Sequence, residues 1–195
     1  MTETVENEAV RLNSLTSQLL RTARLDREEI HPHMEPVDLK TPVTQVVAQY
    51  TEHHPDRHIG FRSGCGQFET VADPQLLRIA LGQLVENACK YSLPGSSVTI
   101  SLHREGDSAA VEVSNVGNPI PANEQSRIFE RFYRGSDASR ATSGSGLGLY
   151  VARKIAIAHG GALDLESQDR QTGRITFSLR IPAGKEAAKN VLTAK

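Results

Sequence analysis

A helix that starts out of a run of glycines constrains this chain more than any other feature. Gly144, Gly146 and Gly148 stand directly before a stretch with helical periodicity: Leu149, Ala152, Ile155, Ala156 and His159. A backbone without Cβ atoms can come close to a ligand. The first turn of a helix adds N–H groups with no intrahelical partner, at the positive end of the helix dipole. Together these make a phosphate cradle. A flexible turn has the same composition, so the reading depends on what lies upstream.

Composition narrows the choices first. Over 195 residues, 38% hydrophobic and 23% charged residues describe a globular chain of one domain plus an extra element. The net charge of −1 argues against a nucleic-acid partner, which calls for a basic excess. Cys65 and Cys89 are too few for a disulfide framework or a zinc site and read as ordinary thiols. No apolar run approaches the ~20 residues of a membrane helix and no signal peptide opens the chain, so the expectation is a soluble, cytoplasmic polypeptide.

Thr4 to Arg27 reads as one long helix, with Val5, Leu12, Leu15, Leu19 and Thr22 on the seam of a seven-residue repeat. Such a stripe needs a covering partner. Glu28 to Leu39 holds Pro32 and Pro36 and reads as a linker, with His31 and His33 solvated in it. The expected division is therefore 1–38 for helix and linker, 39–182 for a compact α/β domain, and 183–195 for a polar tail. Within the domain, Thr41 to Thr51 suits a helix, and His58 to Arg62 and Phe68 to Ala72 suit strands joined by a turn. Asp73 caps a heavily apolar helix with Pro74 at its first position. Strands follow at Val98 to Arg104, Ala109 to Ser114, Ala162 to Ser167 and Arg174 to Ile181. The long irregular region between Asn115 and Ser145 has the length of a functional loop, and a nucleotide lid would be useful there.

Further motifs lie upstream of the glycines. In QLVENACKYS (Gln83 to Ser92), Asn87 sits on the polar side of an apolar helix, where a neutral amide oxygen suits Mg²⁺ shared with phosphates. Lys90 lies three residues on, along the same face, with a charge for a terminal phosphate. In VSNVGNPIP (Val113 to Pro121), Gly117 permits a tight turn, and Asn115 emerges where the amine of an adenine could be read. In RIFERFYRG (Arg127 to Gly135), Ile128, Phe129 and Phe132 could pin a lid while Arg131 and Arg134 reach phosphate with their planar forks. Taken singly, these are also a helix-end cap, a strand-ending turn and a short amphipathic helix.

In this order the motifs resemble the ATP-binding catalytic domain of sensor histidine kinases, within the Bergerat-fold ATPases. The resemblance runs from about Leu39 to Ile181. QLVENACKYS is similar to the family's asparagine box, IFERFYRG to its phenylalanine box and GSGLGL to its second glycine box. The fold it implies is a two-layer α/β sandwich, a mixed sheet packed on helices, preceded here by the N-terminal helix. It implies Mg²⁺ ligation by Asn87, phosphate contact by Lys90, an adenine-side contact by Tyr91, and phosphate contact through the Gly146, Leu147 and Gly148 backbone. With Asn115, Gly117, Ile120, Arg131, Arg134 and Gly144, these make the expected ATP site, Asn87 and Lys90 being the catalytic pair.

Two places depart from the family pattern. Its first glycine box usually reads Asp, any residue, Gly, any residue, Gly, and here those places hold Asn115, Gly117 and Pro119. Asn accepts without charge, an expected loss on the order of 1 kcal/mol. Gln83 stands where the family often has Asn.

The N-terminal segment resembles the second helix of the family's dimerisation and phosphotransfer module, which implies a C-terminal piece of a larger, membrane-anchored kinase. The γ-phosphate of ATP would then pass to a histidine on a helix absent from this sequence, and from there to a response-regulator receiver domain. This chain is expected to be a monomer or weak dimer and the full-length protein a homodimer. Two alternatives share the fold: an anti-sigma-factor-like Ser/Thr kinase, which generally lacks the N-terminal helix, and a non-catalytic nucleotide-sensing or dimerisation module.

Overall fold

The computed structural model describes residues 30–135 and 144–183. The proposed N-terminal helix and all of the 183–195 tail but Ala183 lie outside these; Ala183 is buried and its N–H donates to the Asp107 carbonyl at 2.8 Å. The elements run β1 (Glu35–Asp38), α1 (Lys40–His53), β2 (Ile59–Ser63), β3 (Glu69–Ala72), α2 (Pro74–Tyr91), β4 (Val98–Glu105) and β5 (Ser108–Val116). A 3₁₀ turn (Arg127–Phe129) follows, then α3 (Gly148–Ala158), β6 (Ala162–Asp169) and β7 (Arg174–Pro182).

Five strands form one mixed sheet in the order β2-β4-β5-β7-β6, antiparallel except for the parallel pair β2 and β4. Alternation sorts the side chains. Val98, Ile100, Leu102, Val111, Val113, Phe177 and Leu179 are buried toward the helices. The opposite face carries Ser114 hydrogen-bonded to Thr176 at 2.9 Å, Ser101 donating to Glu112 at 3.1 Å, and Arg180 paired with Asp164 and Glu166. One face is apolar and the other polar, so among the described residues the helices cover one side only. This is the two-layer sandwich that the motifs imply.

One local reading is extended and one is corrected. His58 to Arg62 and Phe68 to Ala72 do form strands, but in different sheets: β2 joins β4, while β3 pairs antiparallel with β1. The partner of β3 is Glu35–Asp38, part of the segment read as linker. Pro36 is tolerated there because this pair is a two-stranded sheet with open edges.

Asp73 is the junction of the helical layer. Its Oδ1 accepts from the Gln75 and Leu76 N–H groups at 2.9 and 3.0 Å, closing the first turn of α2. Its Oδ2 accepts from the His33 N–H at 3.0 Å. Its own N–H donates to His159 Nε2 at 2.9 Å, and His159 Nδ1 donates to the Ile155 carbonyl at 2.8 Å. Residues leading into β1, the start of α2 and the end of α3 therefore meet at one residue. Farther along α2, Gly82 lets α1 close in, since a Cβ there would lie 3.3 Å from the Tyr50 hydroxyl. That hydroxyl donates to Glu86 at 3.2 Å; burial, then the Glu86 charge, pushes its pKa above the usual tyrosine range. Burial likewise raises the Cys89 thiol, which fits an unreactive core cysteine.

Candidate nucleotide site

The site begins on one face of α2. Gln83, Asn87 and Lys90 are half-buried at helical spacings that stack them along a single side. Opposite them runs the glycine turn. A Cβ on Gly144 would sit 2.2 Å from Lys90 Nζ, and one on Gly148 2.7 Å from Gln83 Oε1. The side chains of α2 thus occupy the space that side chains on the turn would need. Gly146 has φ +69, and a Cβ there would come within 2.7 Å of the Phe132 and Tyr133 backbone. Glycine is required on both counts. Leu147, the N-cap of α3, makes no side-chain capping bond, so the first N–H groups of α3 carry no side-chain cap.

The end of α2 is stitched to the end of β5. Ser92 forms an isolated antiparallel bridge with Gly117, and the Leu93 N–H donates to the Val116 carbonyl at 2.8 Å. A Cβ on Gly117 would lie 2.4 Å from the Tyr91 carbonyl oxygen and 3.1 Å from Asn115 Nδ2. Lys90 Nζ stands 5.0 Å above the Tyr91 ring. Asn115 is 4% exposed, and its amide nitrogen has no hydrogen-bond partner among the described residues. A buried, unpaired amide is costly, and its presence at this junction suits a ligand edge.

The lid is anchored less broadly than its sequence suggests. Phe129 is buried edge-on to Phe177 with ring centroids 6.2 Å apart, and Arg153 of α3 lies 4.7 Å above it. Ile128 packs at the edge of the core. Phe132 does not serve as an anchor: it is 51% exposed and has φ +61. The left-handed backbone turns its ring outward, where Arg131 stacks at 4.6 Å. Arg134 is half-buried just before the described part of the lid ends. The segment 127–135 holds one 3₁₀ turn and no α-helix.

The structure thus brings together Asn87, Lys90, Tyr91, Asn115, Gly117, Gly144, Gly146 and Gly148. Ile120 is placed differently. Its N–H donates to Gln168 Oε1 at 2.8 Å and its carbonyl accepts from Gln168 Nε2 at 2.9 Å, so β6 clamps this backbone from the side. Gln168 was not legible as a site-supporting residue, and neither was Gly173, whose carbonyl accepts from the Gly117 N–H at 2.8 Å. Both act on the Asn115 turn from beyond position 160, and no local motif marks them.

A one-sided mixed sheet, with a glycine turn and an asparagine-bearing helix converging over the end of β5, is the architecture of an ATP-binding catalytic domain. The chain belongs to the family of histidine kinase-, DNA gyrase B- and HSP90-like ATPases, whose sequence model matches residues 72–185. Among its relatives, the sensor-like histidine kinase SenX3 of Mycobacterium tuberculosis is 38% identical over 95% of this chain. The match covers 45% of SenX3, so the chain spans about half the length of that relative. A solved mycobacterial sensor histidine kinase, MprB, superimposes with a TM-score of 0.66 at 26% identity, covering 77% of this chain and 97% of that one. Histidine kinase ThkA, solved in complex with the response regulator protein TrrA, shares the fold with a TM-score of 0.73 at 20% identity, covering 91% of this chain and 50% of that one. Among the described residues no helix is long and apolar enough to cross a membrane.

Proposed function

We propose that this chain binds ATP with Mg²⁺ and, as the kinase part of a two-component sensor, directs the γ-phosphate to a histidine on a phosphotransfer helix that the present sequence does not contain. One observation carries the reading. Lys90 approaches Gly144, Gln83 approaches Gly148, and Tyr91 approaches Gly117, so the segments that carry the proposed phosphate-binding and base-reading residues are neighbours. The donor set suits the group: Asn87 offers a neutral oxygen for Mg²⁺, and the glycine turn offers backbone N–H groups beside a lysine. When bound, Mg²⁺ would neutralise phosphate charge.

The residues of the chain have separable tasks in this reading. Asn115, Gly117 and the Tyr91 end of α2 receive the base. Asn87 would hold the metal through its amide oxygen, and Lys90 would draw charge off the terminal phosphate as its bond to the leaving diphosphate lengthens. The backbone of Gly144, Gly146, Leu147 and Gly148 holds the phosphate oxygens. Arg131 and Arg134 close over them from the lid, and Ile120 shapes the rim near the base. Transfer of this kind depends on positioning and electrostatics more than on covalent groups. The acceptor helix and a response-regulator receiver domain are the proposed partners, in a full-length protein that is a homodimer anchored in a membrane. The present chain alone would be a monomer or weak dimer.

The test mixes this chain with a separate phosphotransfer module carrying the acceptor histidine, and with labelled ATP and Mg²⁺. Label should reach the module and be lost with Asn87→Ala, at least a hundredfold by the usual scale of lost charge stabilisation. Undiminished transfer by that variant would remove Asn87 from its metal role. Failure of the unaltered chain to bind a non-hydrolysable ATP analogue in calorimetry would leave a non-catalytic module as the better reading.

A further inference from the structure

Asn115 presents a problem that the nucleotide reading does not resolve. It lies on the inner face of β5, 4% exposed, beside Gly117 and the Tyr91 carbonyl, and its amide nitrogen has no partner. An Asp at this place, which the family resemblance leads one to expect, could only accept. A carboxamide carries a donor and an acceptor side by side, and a half-turn about χ2 exchanges them. No hydrogen bond from the described residues engages Nδ2.

The two purine edges are related by the same exchange. A 6-aminopurine presents an N6 donor next to the N1 acceptor. A 6-oxopurine presents an O6 acceptor next to the N1–H donor. In one orientation Asn115 accepts from N6 and donates to N1; in the other it donates to O6 and accepts from N1–H. Each is a paired, neutral contact of the kind by which Asn and Gln read base edges. A carboxylate would repel O6.

We propose that Asn115 is the base-selecting residue of this site, and that its free carboxamide lets the pocket take 6-oxopurine nucleotides alongside 6-aminopurine ones. The inference rests on the nucleotide reading above and goes beyond it, since an adenine-only pocket would satisfy that reading equally well.

The test uses three nucleotides with Mg²⁺, followed by calorimetry: ATP, inosine triphosphate, and the triphosphate of unsubstituted purine riboside. Inosine carries the 6-oxo edge without the 2-amino group of guanine, so bulk at C2 does not confuse the result. The unaltered chain should bind ATP and inosine triphosphate within about tenfold of each other, and both about tenfold tighter than the 6-unsubstituted compound, on the scale of one neutral hydrogen bond. Asn115→Asp should raise the ratio of ATP to inosine triphosphate affinity by at least about tenfold. Circular dichroism establishes that this variant folds; if it does not, the comparison of the three compounds on the unaltered chain decides alone. Inosine triphosphate binding no tighter than the 6-unsubstituted compound, or a ratio unmoved in folded Asn115→Asp, overturns the proposal while leaving ATP binding intact. Absence of binding by all three would overturn the nucleotide reading itself, a distinguishable result.

Discussion

Two glycines of the site are needed for different physical reasons, and substitution separates them. At Gly117 an added Cβ meets backbone, the Tyr91 carbonyl at 2.4 Å, and neither side can yield without opening the bridge to Ser92. Gly117→Ala should therefore cost about 1–3 kcal/mol in urea denaturation, the range for forced overpacking. At Gly144 the added Cβ meets Lys90 Nζ at 2.2 Å, the far end of a flexible chain. Gly144→Ala should leave stability within about 0.5 kcal/mol, because the ammonium can swing away. It should nevertheless weaken triphosphate binding, since the displaced charge is the one proposed for phosphate. Equal loss of stability in both variants would show that the Gly144 contact is structural packing instead.

At the scale of elements, the helical layer depends on Asp73. Its carboxylate closes the first turn of α2 and holds the His33 N–H, while its backbone N–H reaches His159 beyond α3. Asp73→Ala removes the first two interactions and leaves the third. The expected cost is about 1–2 kcal/mol, the upper range for a lost N-cap. Hydrogen exchange should quicken at the Gln75, Leu76 and His33 amides, while the Asp73 amide stays protected by His159. Asp73→Asn should recover the cap but not the His33 bond, because its Oδ1 can close the turn while its Nδ2 is a donor and cannot accept from the His33 N–H. If exchange at His33 does not change, the residues before β1 are held by the β1–β3 pairing and not by this carboxylate.

For the whole molecule, the site lies between elements and not within one. The elements that carry its proposed residues are α2, the end of β5, the lid base and the start of α3. A ligand joining these parts stabilises the domain by mass action, about 2.7 kcal/mol at a hundred times the dissociation constant. The melting temperature should therefore rise with a non-hydrolysable ATP analogue and Mg²⁺, and most of the rise should vanish when EDTA is added. A rise that survives EDTA undiminished would mean that the nucleotide is held without the metal, leaving Asn87 without its proposed ligand.

Local chemistry was legible from the chain alone. Asp73 followed by Pro74 marks the start of α2. The glycines before Leu149 mark the start of α3, and these signals hold because each is settled within a few bonds of backbone. The reach of the motifs toward one another was legible only through a family likeness. What tertiary structure alone decided are the matters of distant partners. β3 leaves its sequence neighbour to pair with β1, Gln168 and Gly173 brace a turn some 50 residues away, and Phe132 turns outward while Phe129 turns in. Strand partners and bracing side chains are chosen by which surfaces the folded layers bring into contact, and residues near in the chain carry no record of that choice.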